Sequence, residues 1–221
     1  MRGKLIVLEG LDGSGKATQT KLLCDDLGGQ INVLPISFPD YSQPSSMLVK
    51  MYLASEFGDA PSDVNPYAAS SFYAVDRYAS YKKFWEKDYN NGDCVIADRY
   101  VTSNAIYQMS KLPKEEWDDF LEWMQSYEYE KLLLPVPDLV VFLDMPIELS
   151  QKLMSGRYDG DETKKDLHES NIQFLKRCRE AAFYCAKKLG WKMIACSENG
   201  QVKQIAAIHK EVLSAVKKVV F

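Results

Sequence analysis

The residues best suited to chemistry lie near the start of the chain, where Gly10 to Lys16 reads GLDGSGK. This segment fits the pattern GxxxxGK, in which the lysine reaches the terminal phosphates of a bound nucleotide. Glycines let the main chain approach a ligand closely, and the free N–H groups at the start of the next helix attract an anion. The order of strand, loop and helix favours a phosphate-binding loop over a glycine-rich turn that binds nothing.

The residue after the lysine departs from the full pattern. Position 17 is Ala17, whereas the usual Ser or Thr supplies a hydroxyl that contacts magnesium, and Thr18 comes one residue late. We therefore expect any metal ion at this loop to use other ligands.

A carboxylate and a guanidinium follow the third apolar run, in the sequence Asp98-Arg99-Tyr100. In an open parallel sheet the carboxyl ends of the strands face the ligand crevice, so both side chains would emerge beside the phosphate loop. Asp98 would then serve a magnesium ion, and the planar fork of Arg99 would donate two parallel hydrogen bonds to a phosphate. A surface ion pair at a strand end is the alternative, since such pairs are common.

Further side chains have the chemistry of a pocket for a nucleotide base. Tyr73 and Arg77 lie on one predicted helix, and Asn104 and Tyr107 are one turn apart on another. A tyrosine ring would stack on the base, the amide would pair with one donor and one acceptor, and the guanidinium would reach a carbonyl. The segment Phe38 to Tyr41, which reads FPDY, leaves the second apolar run. Taken singly, the two tyrosines would be core aromatics and Asn104 a helix cap.

The elements that must position these side chains alternate between strand and helix. The short apolar runs that predict strands are Leu5–Leu8, Val33–Phe38, Cys94–Ala97, Leu139–Leu143 and Met193–Cys196. The stretches that predict helices are Gly15–Leu27, Pro44–Phe57, Pro66–Asn90, Ser103–Ser110, Lys114–Lys131, a helix opening at Pro146, Asp166–Leu189 and Gln201–Val219. This alternation predicts an α/β fold with a central parallel sheet.

Two of the remaining stretches have a composition that is compatible with more than one role. The aromatic stripe of Trp117, Phe120, Trp123 and Tyr127 is more typical of a core or a subunit contact than of a cofactor site. The segment at about 155–166 contains small and charged residues with nothing to bury. It is predicted to be either a mobile lid or a solvated loop.

Length and composition limit the class of protein. The 221 residues suit one domain, or one domain with a mobile insertion, and we expect a single domain over residues 1–221. A net charge of −4 gives no support to a nucleic-acid-binding surface. Five scattered cysteines without CxxC spacing fit reduced thiols in a cytoplasmic protein. No apolar run approaches the length needed to span a membrane, and the first ten residues are too short an apolar stretch for a signal peptide.

In the order and spacing of five motifs, the sequence resembles the thymidylate kinase (dTMP kinase) family of the bacterial type. The motifs are EGLDGSGKATQ, FPDY, AVDR, DRYVTSNAIY and a charged segment ending DLHE. The resemblance extends from Leu5 to about Trp191. It implies a three-layer phosphate-loop NTPase fold with a five-stranded parallel sheet flanked by helices and a mobile lid. It also implies transfer of the γ-phosphate of ATP to dTMP in dTTP biosynthesis, a requirement for Mg²⁺, and a homodimer.

The resemblance further implies roles for individual residues. The loop residues that would cradle the phosphates of ATP are Gly10, Leu11, Asp12, Gly13, Ser14, Gly15, Lys16, Ala17 and Thr18. The residues that would bind dTMP are Phe38, Tyr41, Tyr73, Arg77, Asp98, Arg99, Asn104 and Tyr107. Among these, Tyr41 and Arg99 would fix the phosphate, Tyr73 would stack on thymine where the family more often has Phe, and Tyr107 would crowd the 2′ position.

Acidic residues are the remaining part of the implied site. Asp12 would lie near the acceptor sugar and the metal ion, and Asp166 and Glu169 would stand at the end of the lid. The ligands of Mg²⁺ stay open, with Asp12, Asp98 or Glu169 as candidates, acting directly or through water.

The predicted reaction needs cations more than it needs a base. The attacking phosphate oxygen of dTMP is already anionic, so catalysis reduces to aligning two anions and neutralising their charge. Some relatives place an arginine inside the phosphate loop, but that position is Gly13 here, so we expect Arg157, Lys164 or Lys165 of the lid to supply the extra cation. We predict that Arg157 covers the transferring phosphoryl group, although neighbouring acidic residues also fit a charge-balanced loop.

Two other functions compete with this prediction. A deoxynucleoside kinase would need a carboxylate base to activate a neutral 5′-hydroxyl, whereas Tyr41 and Arg99 favour an acceptor that already carries a phosphate. A GTPase-like switch would carry an NKxD motif that reads guanine, and the sequence has none.

Overall fold

The computed structural model describes residues 2–157, 167–168 and 171–221, and for residues 155–157 it describes the backbone alone. Its central sheet consists of β1 (Leu5–Glu9), β2 (Val33–Ser37), β3 (Cys94–Asp98), β4 (Leu139–Asp144) and β5 (Lys192–Ala195). The strands are parallel and lie in the order β2-β3-β1-β4-β5. Each predicted strand is confirmed to within one residue at either end.

Helices cover both faces of the sheet. In the described residues the α-helices are α1 (Lys16–Leu27), α2 (Met47–Leu53), α3 (Pro66–Ser80), α4 (Glu86–Asn91), α5 (Thr102–Tyr107), α6 (Trp117–Gln125), α7 (Ile147–Arg157), α8 (Ile172–Leu189) and α9 (Ile205–Val220). Shorter 3₁₀ turns are Pro44–Ser46, Pro61–Asp63, Met109–Lys111 and Lys114–Glu116, and π-helical turns are Tyr81–Trp85 and Ser126–Lys131. None of these helices is both long enough and apolar enough to cross a bilayer.

The central strand β1 explains why the apolar runs were good predictors. Leu5 and Val7 pack into the core beneath α5, α6 and α8, while Ile6 and Leu8 point to the opposite face and pack beneath α1 and α9. All four side chains are fully buried. A strand covered on both faces needs apolar residues at every position, which is the pattern that a continuous run records.

Helix boundaries were predicted less well than strands. The stretch predicted as one helix over Pro66–Asn90 passes through a π-helical turn and ends at Asn91, where Gly92 adopts a left-handed φ of 110°. The helix predicted over Pro44–Phe57 ends at Leu53. In the described residues α8 begins at Ile172 rather than at Asp166, because Asn171 caps it by accepting a hydrogen bond from the N–H of Phe174.

The predicted start of the last helix at Gln201 is wrong. Residues Gln201–Val202 form β7, which pairs antiparallel with β6 (Ser197–Glu198), and the helix begins only at Ile205. Asn199 and Gly200 both have positive φ angles, 51° and 74°, as a tight two-residue hairpin requires. The Asn-Gly pair was the sequence signal for this hairpin.

The aromatic stripe of α6 belongs partly to the core, in line with the sequence prediction. Trp117 and Phe120 are buried, and Trp123 stacks on Tyr127 and meets the edge of Tyr67. The stripe leads into the π-helical turn Ser126–Lys131, and this turn places the carboxylate of Glu128 inside the protein.

Candidate active site

The loop between β1 and α1 wraps around the side chain of Lys16. The ammonium of Lys16 donates hydrogen bonds to the carbonyl oxygens of Gly10, at 2.9 Å, and Leu11, at 3.0 Å. Burial lowers the pKa of Lys16 to about 8, and the nearby charge of Arg99 lowers it in the same direction, while Asp12 opposes both. The loop therefore holds a cation at the carboxyl end of the sheet, where the phosphates of a nucleotide were expected.

Gly13 occupies a position in the loop that leaves no room for a side chain. Its φ of +77° lies in the left-handed region, and a Cβ there would be 2.8 Å from the carbonyl oxygen of Ser150 and 3.0 Å from Cγ of Met154. An arginine in place of Gly13 would have to displace α7. The loop thus contributes Lys16 as its cation.

Arg99 reaches back from the end of β3 to the phosphate loop. It pairs with Asp12 through Nη2, and its Nη1 donates to the hydroxyl of Tyr107 at 3.2 Å. The hydroxyl of Tyr107 donates to the other carboxylate oxygen of Asp12 at 3.1 Å. Arg99 holds a positive φ of 67°, a strained conformation for a residue with a side chain. The triangle of Arg99, Asp12 and Tyr107 puts a guanidinium beside the loop of Lys16, as the sequence predicted.

The charges around Asp12 keep it ionised. Burial by itself would raise the pKa of this carboxyl, but Arg99 and Lys16 together lower it to about 2. A carboxylate with such a low pKa is a poor proton acceptor, so Asp12 acts here as a charge that holds two cations close together.

Glu9, which the sequence analysis did not assign, ties the phosphate loop to the start of α5. It is the last residue of β1 and is fully buried, and burial raises the pKa of its carboxyl. It accepts hydrogen bonds from the hydroxyls of Thr102, at 2.7 Å, and Ser103, at 2.9 and 3.0 Å, and from the N–H of Tyr100 at 3.3 Å. A carboxylate at the end of an otherwise apolar strand was the signal that could have revealed it.

A pocket opens beside the triangle of Arg99, Asp12 and Tyr107. Its walls are formed by Asp12, Phe38, Pro39, Tyr41, Leu53, Tyr73, Arg77, Arg99, Tyr100, Ser103, Asn104, Tyr107, Gln108 and His168. The structure thus brings the predicted dTMP-binding residues together around one pocket, apart from Asp98, which stands at the end of β3. Gln108, one turn after Asn104, is an addition, and its buried Oε1 has no hydrogen-bond partner among the described residues.

The inner end of this pocket depends on Glu128, which the sequence analysis missed. Arg77 donates to both oxygens of Glu128, at 2.7 and 2.6 Å, and both side chains are almost fully buried. Asn104 donates through Nδ2 to Glu128 at 2.8 Å and to the carbonyl of Ser70 at 3.3 Å. No local pattern marked Glu128, because it pairs with Arg77 and Asn104 from a π-helical turn that is 51 and 24 residues away from them in the chain.

These contacts correct one expectation about Asn104. Both neighbours of its Nδ2 are acceptors, so the amide cannot be reversed, and both amide hydrogens are used within the protein. Asn104 therefore has only its oxygen to offer a ligand, instead of the donor and acceptor that were predicted.

His168 also lines the pocket, although the sequence analysis gave it no part. Its ring stacks on that of Tyr107, with centroids 5.4 Å apart and an angle of 16° between the planes. Its Nε2 lies 2.8 Å from the hydroxyl of Tyr52, which accepts a hydrogen bond of 2.8 Å from the ammonium of Lys111. Burial and the charge of Lys111 lower the pKa of His168 to about 3, so the imidazole is neutral.

The carboxylates near the loop fit a magnesium ion that is carried mainly by phosphates. Within the described residues no three His, Cys, Asp or Glu side chains form a cluster able to enclose a metal. Mg²⁺ commonly uses one or two carboxylates, the phosphates of the substrate and water. Asp12 and Asp98 could provide that share, whereas Glu169 and Asp166 lie outside the described residues.

The cations predicted to come from the lid are only partly described. Arg157 is the last residue of α7, and its side chain, together with Lys164 and Lys165, lies outside the described residues.

The space around Gly13 leads to a prediction. Replacing Gly13 by Ala should lower the affinity for ATP at least tenfold, because the new methyl group must move either the loop or α7. Equilibrium binding of ATP measures the effect, with the thermal midpoint recorded alongside. Gly29→Ala is the matched control, since a Cβ at Gly29 would meet nothing within 4 Å. Equal affinities of Gly13→Ala and the unmodified protein would contradict the prediction.

Comparison with known proteins agrees with this geometry. Residues 8–207 match the family model described as thymidylate kinase. The chain is 32% identical to the thymidylate kinase of Mycobacterium tuberculosis (strain H37Rv) over 180 residues, covering 78% of this chain and 81% of that protein. It is 35% identical to a probable thymidylate kinase of Pyrococcus horikoshii over 220 residues, covering 98% of this chain and 97% of that protein.

Solved structures show the same fold. The thymidylate kinase of Candida albicans superimposes with a TM-score of 0.74 at 24% identity, covering 98% of this chain and 92% of that one. The five-stranded parallel sheet and the match over residues 8–207 agree with each other, and the chain belongs to the thymidylate kinase family.

Proposed function

We propose that this protein transfers the γ-phosphate of ATP to dTMP, giving dTDP and ADP, as a nucleoside monophosphate kinase of dTTP biosynthesis. The observation that carries the proposal is that Arg99 pairs with Asp12, while the charge of Lys16 also acts on this carboxylate. One cation stands in a loop suited to the phosphates of ATP, and the other faces a pocket suited to a nucleotide. A transfer between two phosphates requires two such cradles at one crevice.

The acceptor nucleotide would lie along the pocket with its phosphate at Arg99. Tyr41 stands on the same pocket wall and would help to fix that phosphate, and Tyr73 would stack on the base. Arg77 and the oxygen of Asn104 would then face the edge of the base. Tyr107, held by Asp12 and Arg99, would crowd a 2′-hydroxyl and so favour the deoxyribose.

The chemistry would rest on alignment and charge. The acceptor phosphate is already a nucleophile, and Lys16 and Arg99 reduce the repulsion between two anions as they approach. A magnesium ion, held by phosphates with Asp12 or Asp98, would add positive charge to the transferring group.

A kinase acting on a nucleoside is supported less well by the same contacts. It would need a carboxylate that removes the proton of a neutral hydroxyl. Asp12 is paired with Arg99 and Tyr107 and has a pKa of about 2, and Glu9 is buried behind Thr102 and Ser103. Neither is poised to act as a base at the pocket.

A substrate panel tests the proposed reaction. With ATP and Mg²⁺, we expect ADP to form rapidly with dTMP, and at least tenfold more slowly with dCMP, dGMP, thymidine and the ribose analogue of dTMP. A coupled assay of ADP production gives the rates. Preference for thymidine over dTMP would establish the nucleoside kinase instead, and nucleotide binding without any ADP release would point to a switch.

We also propose that Arg157 supplies the extra cation over the transferring phosphoryl group. Gly13 cannot carry that arginine, and Arg157 ends the helix that packs against the loop at Ser150. Arg157→Ala should lower kcat at least tenfold, with little change in the affinity for dTMP, because the charge would matter most in the transition state. Lys152→Ala, an exposed cation on the same helix, is the control. A kcat within a factor of three of the unmodified enzyme would show that Arg157 is not used.

A homodimer is proposed through α3 and the π-helical turn that follows it. Val75, Tyr78 and Phe84 are each more than 40% exposed on this segment, which is unusual for three large apolar side chains so close together in the chain. Analytical ultracentrifugation should give a dimer for the unmodified protein and a monomer for Tyr78→Glu, with Phe183→Glu, an exposed aromatic on α8, as the control. A monomer at all concentrations would contradict this proposal.

The cytoplasmic location stays a prediction that cell fractionation can check.

A further inference from the structure

A chain of three polar side chains begins at the wall of the acceptor pocket and has no part in the proposed chemistry; two of them are buried and the third is partly buried. The ammonium of Lys111 donates to the hydroxyl of Tyr52 at 2.8 Å, and that hydroxyl lies 2.8 Å from Nε2 of His168. Lys111 also donates to the carbonyl of Val64 at 3.2 Å. Burying such groups is costly unless they are paired, so a chain of this kind fixes the relative position of its members.

The three side chains come from separate parts of the fold. Tyr52 lies on α2, Lys111 ends the 3₁₀ turn after α5, and His168 stands just before α8. Tyr52 is fully buried and His168 is 5% exposed. Leu167, next to His168, packs with Tyr52 and Val64 in a small apolar cluster. The chain of polar contacts therefore fastens the stretch before α8 to α2 and α5.

The stacked ring of Tyr107 connects this chain to the site. His168 lies nearly parallel to Tyr107, and the hydroxyl of Tyr107 bonds to Asp12 and Arg99 on the other side. A rotation of the imidazole would remove its face from Tyr107 and free that ring to turn. The hydroxyl of Tyr107 would then lose its hydrogen bonds to Asp12 and Arg99.

We propose that Tyr52 is a positioning residue for the acceptor nucleotide: its hydroxyl, oriented by Lys111, donates to Nε2 of His168 and holds the imidazole flat against Tyr107. Tyr107 is thereby kept between Asp12 and Arg99. The inference rests on the proposed function, since it concerns the pocket for dTMP. In this proposal Tyr52 and His168 keep Tyr107 in position, and neither residue contacts a phosphate.

Each hydrogen bond of the proposed chain has a direction. A charged Lys111 can only donate, so the hydroxyl of Tyr52 accepts from Lys111. In the proposed arrangement that hydroxyl donates its own hydrogen to Nε2 of His168. A neutral imidazole that accepts at Nε2 carries its proton on Nδ1, and this tautomer can be measured.

Kinetics of Tyr52→Phe test the inference. This variant keeps the buried ring and removes only the hydroxyl, and we expect KM for dTMP to rise about tenfold while KM for ATP changes less than twofold. His168→Phe keeps a ring for the stack but has no acceptor, and it should have the same effect. The double variant should be no worse than Tyr52→Phe alone, because Tyr52→Phe already removes the hydrogen bond to His168 together with the one from Lys111.

Two further variants separate positioning from general stability. His168→Gln places an amide oxygen near Tyr52, and should recover part of the affinity for dTMP that His168→Phe loses. Tyr89→Phe is the control for loss of a tyrosine hydroxyl, since Tyr89 is buried, does not line the pocket and accepts a hydrogen bond from Arg2. Thermal midpoints are measured for every variant. A lower midpoint with an unchanged KM for dTMP would show a structural role only and would overturn the inference.

Nuclear magnetic resonance of the imidazole nitrogens gives a readout independent of activity. The chain has two histidines, so His209→Asn leaves the signals of His168 alone. Burial lowers the pKa of Lys111 to about 7, so the measurement is made at pH 5 to 6, where Lys111 is charged. We expect a neutral ring with its proton on Nδ1 there, and a shift of the Nε2 resonance in Tyr52→Phe. A proton on Nε2, or no shift in Tyr52→Phe, would overturn the proposed hydrogen bond.

The experiments also separate this inference from the proposed function. If the unmodified protein forms no ADP with dTMP, the proposed function fails and the inference fails with it. If the unmodified protein is active and Tyr52→Phe keeps KM for dTMP within twofold, only the inference is overturned.

Discussion

The ion pair between Asp12 and Arg99 is the interaction on which the site depends. Lys16 and Arg99 are both cations, and each is surrounded by protein, so their mutual repulsion would oppose bringing them to one crevice. Asp12 pairs with Arg99 and is close enough to Lys16 for both charges to lower its pKa, to about 2. A protein that must hold two anions close together needs neighbouring cations, and those cations need a carboxylate that keeps them in place.

The same arrangement, a carboxylate that holds its hydrogen-bond donors in place, recurs twice behind residues that line the pocket. Glu128 holds Arg77 and Asn104, and Glu9 holds the first residues of α5. Both carboxylates are fully buried, where an unpaired charge would be severely destabilising. Each is instead surrounded by donors, and so it fixes their positions before any ligand arrives. Because these side chains are already held in place, binding a ligand does not cost the conformational entropy of ordering them.

The sequence predictions agree best with the structure where a feature depends only on residues that are close together in the chain. The strands were predicted because β1 and its neighbours are covered on both faces, and the phosphate loop because few patterns combine its glycines with a lysine. Glu128 and His168 were missed because their contacts with residues that line the pocket depend on packing between distant segments. Gly13 was interpreted as a missing cation, whereas the structure shows that α7 occupies the space a side chain would need.

The fixed amide of Asn104 suggests how the pocket would distinguish pyrimidines. Its hydrogens are held by Glu128 and Ser70, so only an oxygen acceptor faces a ligand. Thymine carries an N–H at position 3 of its ring, which can donate to that oxygen, whereas cytosine has a lone pair there. An acceptor facing a lone pair leaves both without a hydrogen bond, and sites built in this way discriminate strongly. Glu128, although it would never touch the base, would thus determine which base is accepted, because it dictates which atom of Asn104 faces the pocket.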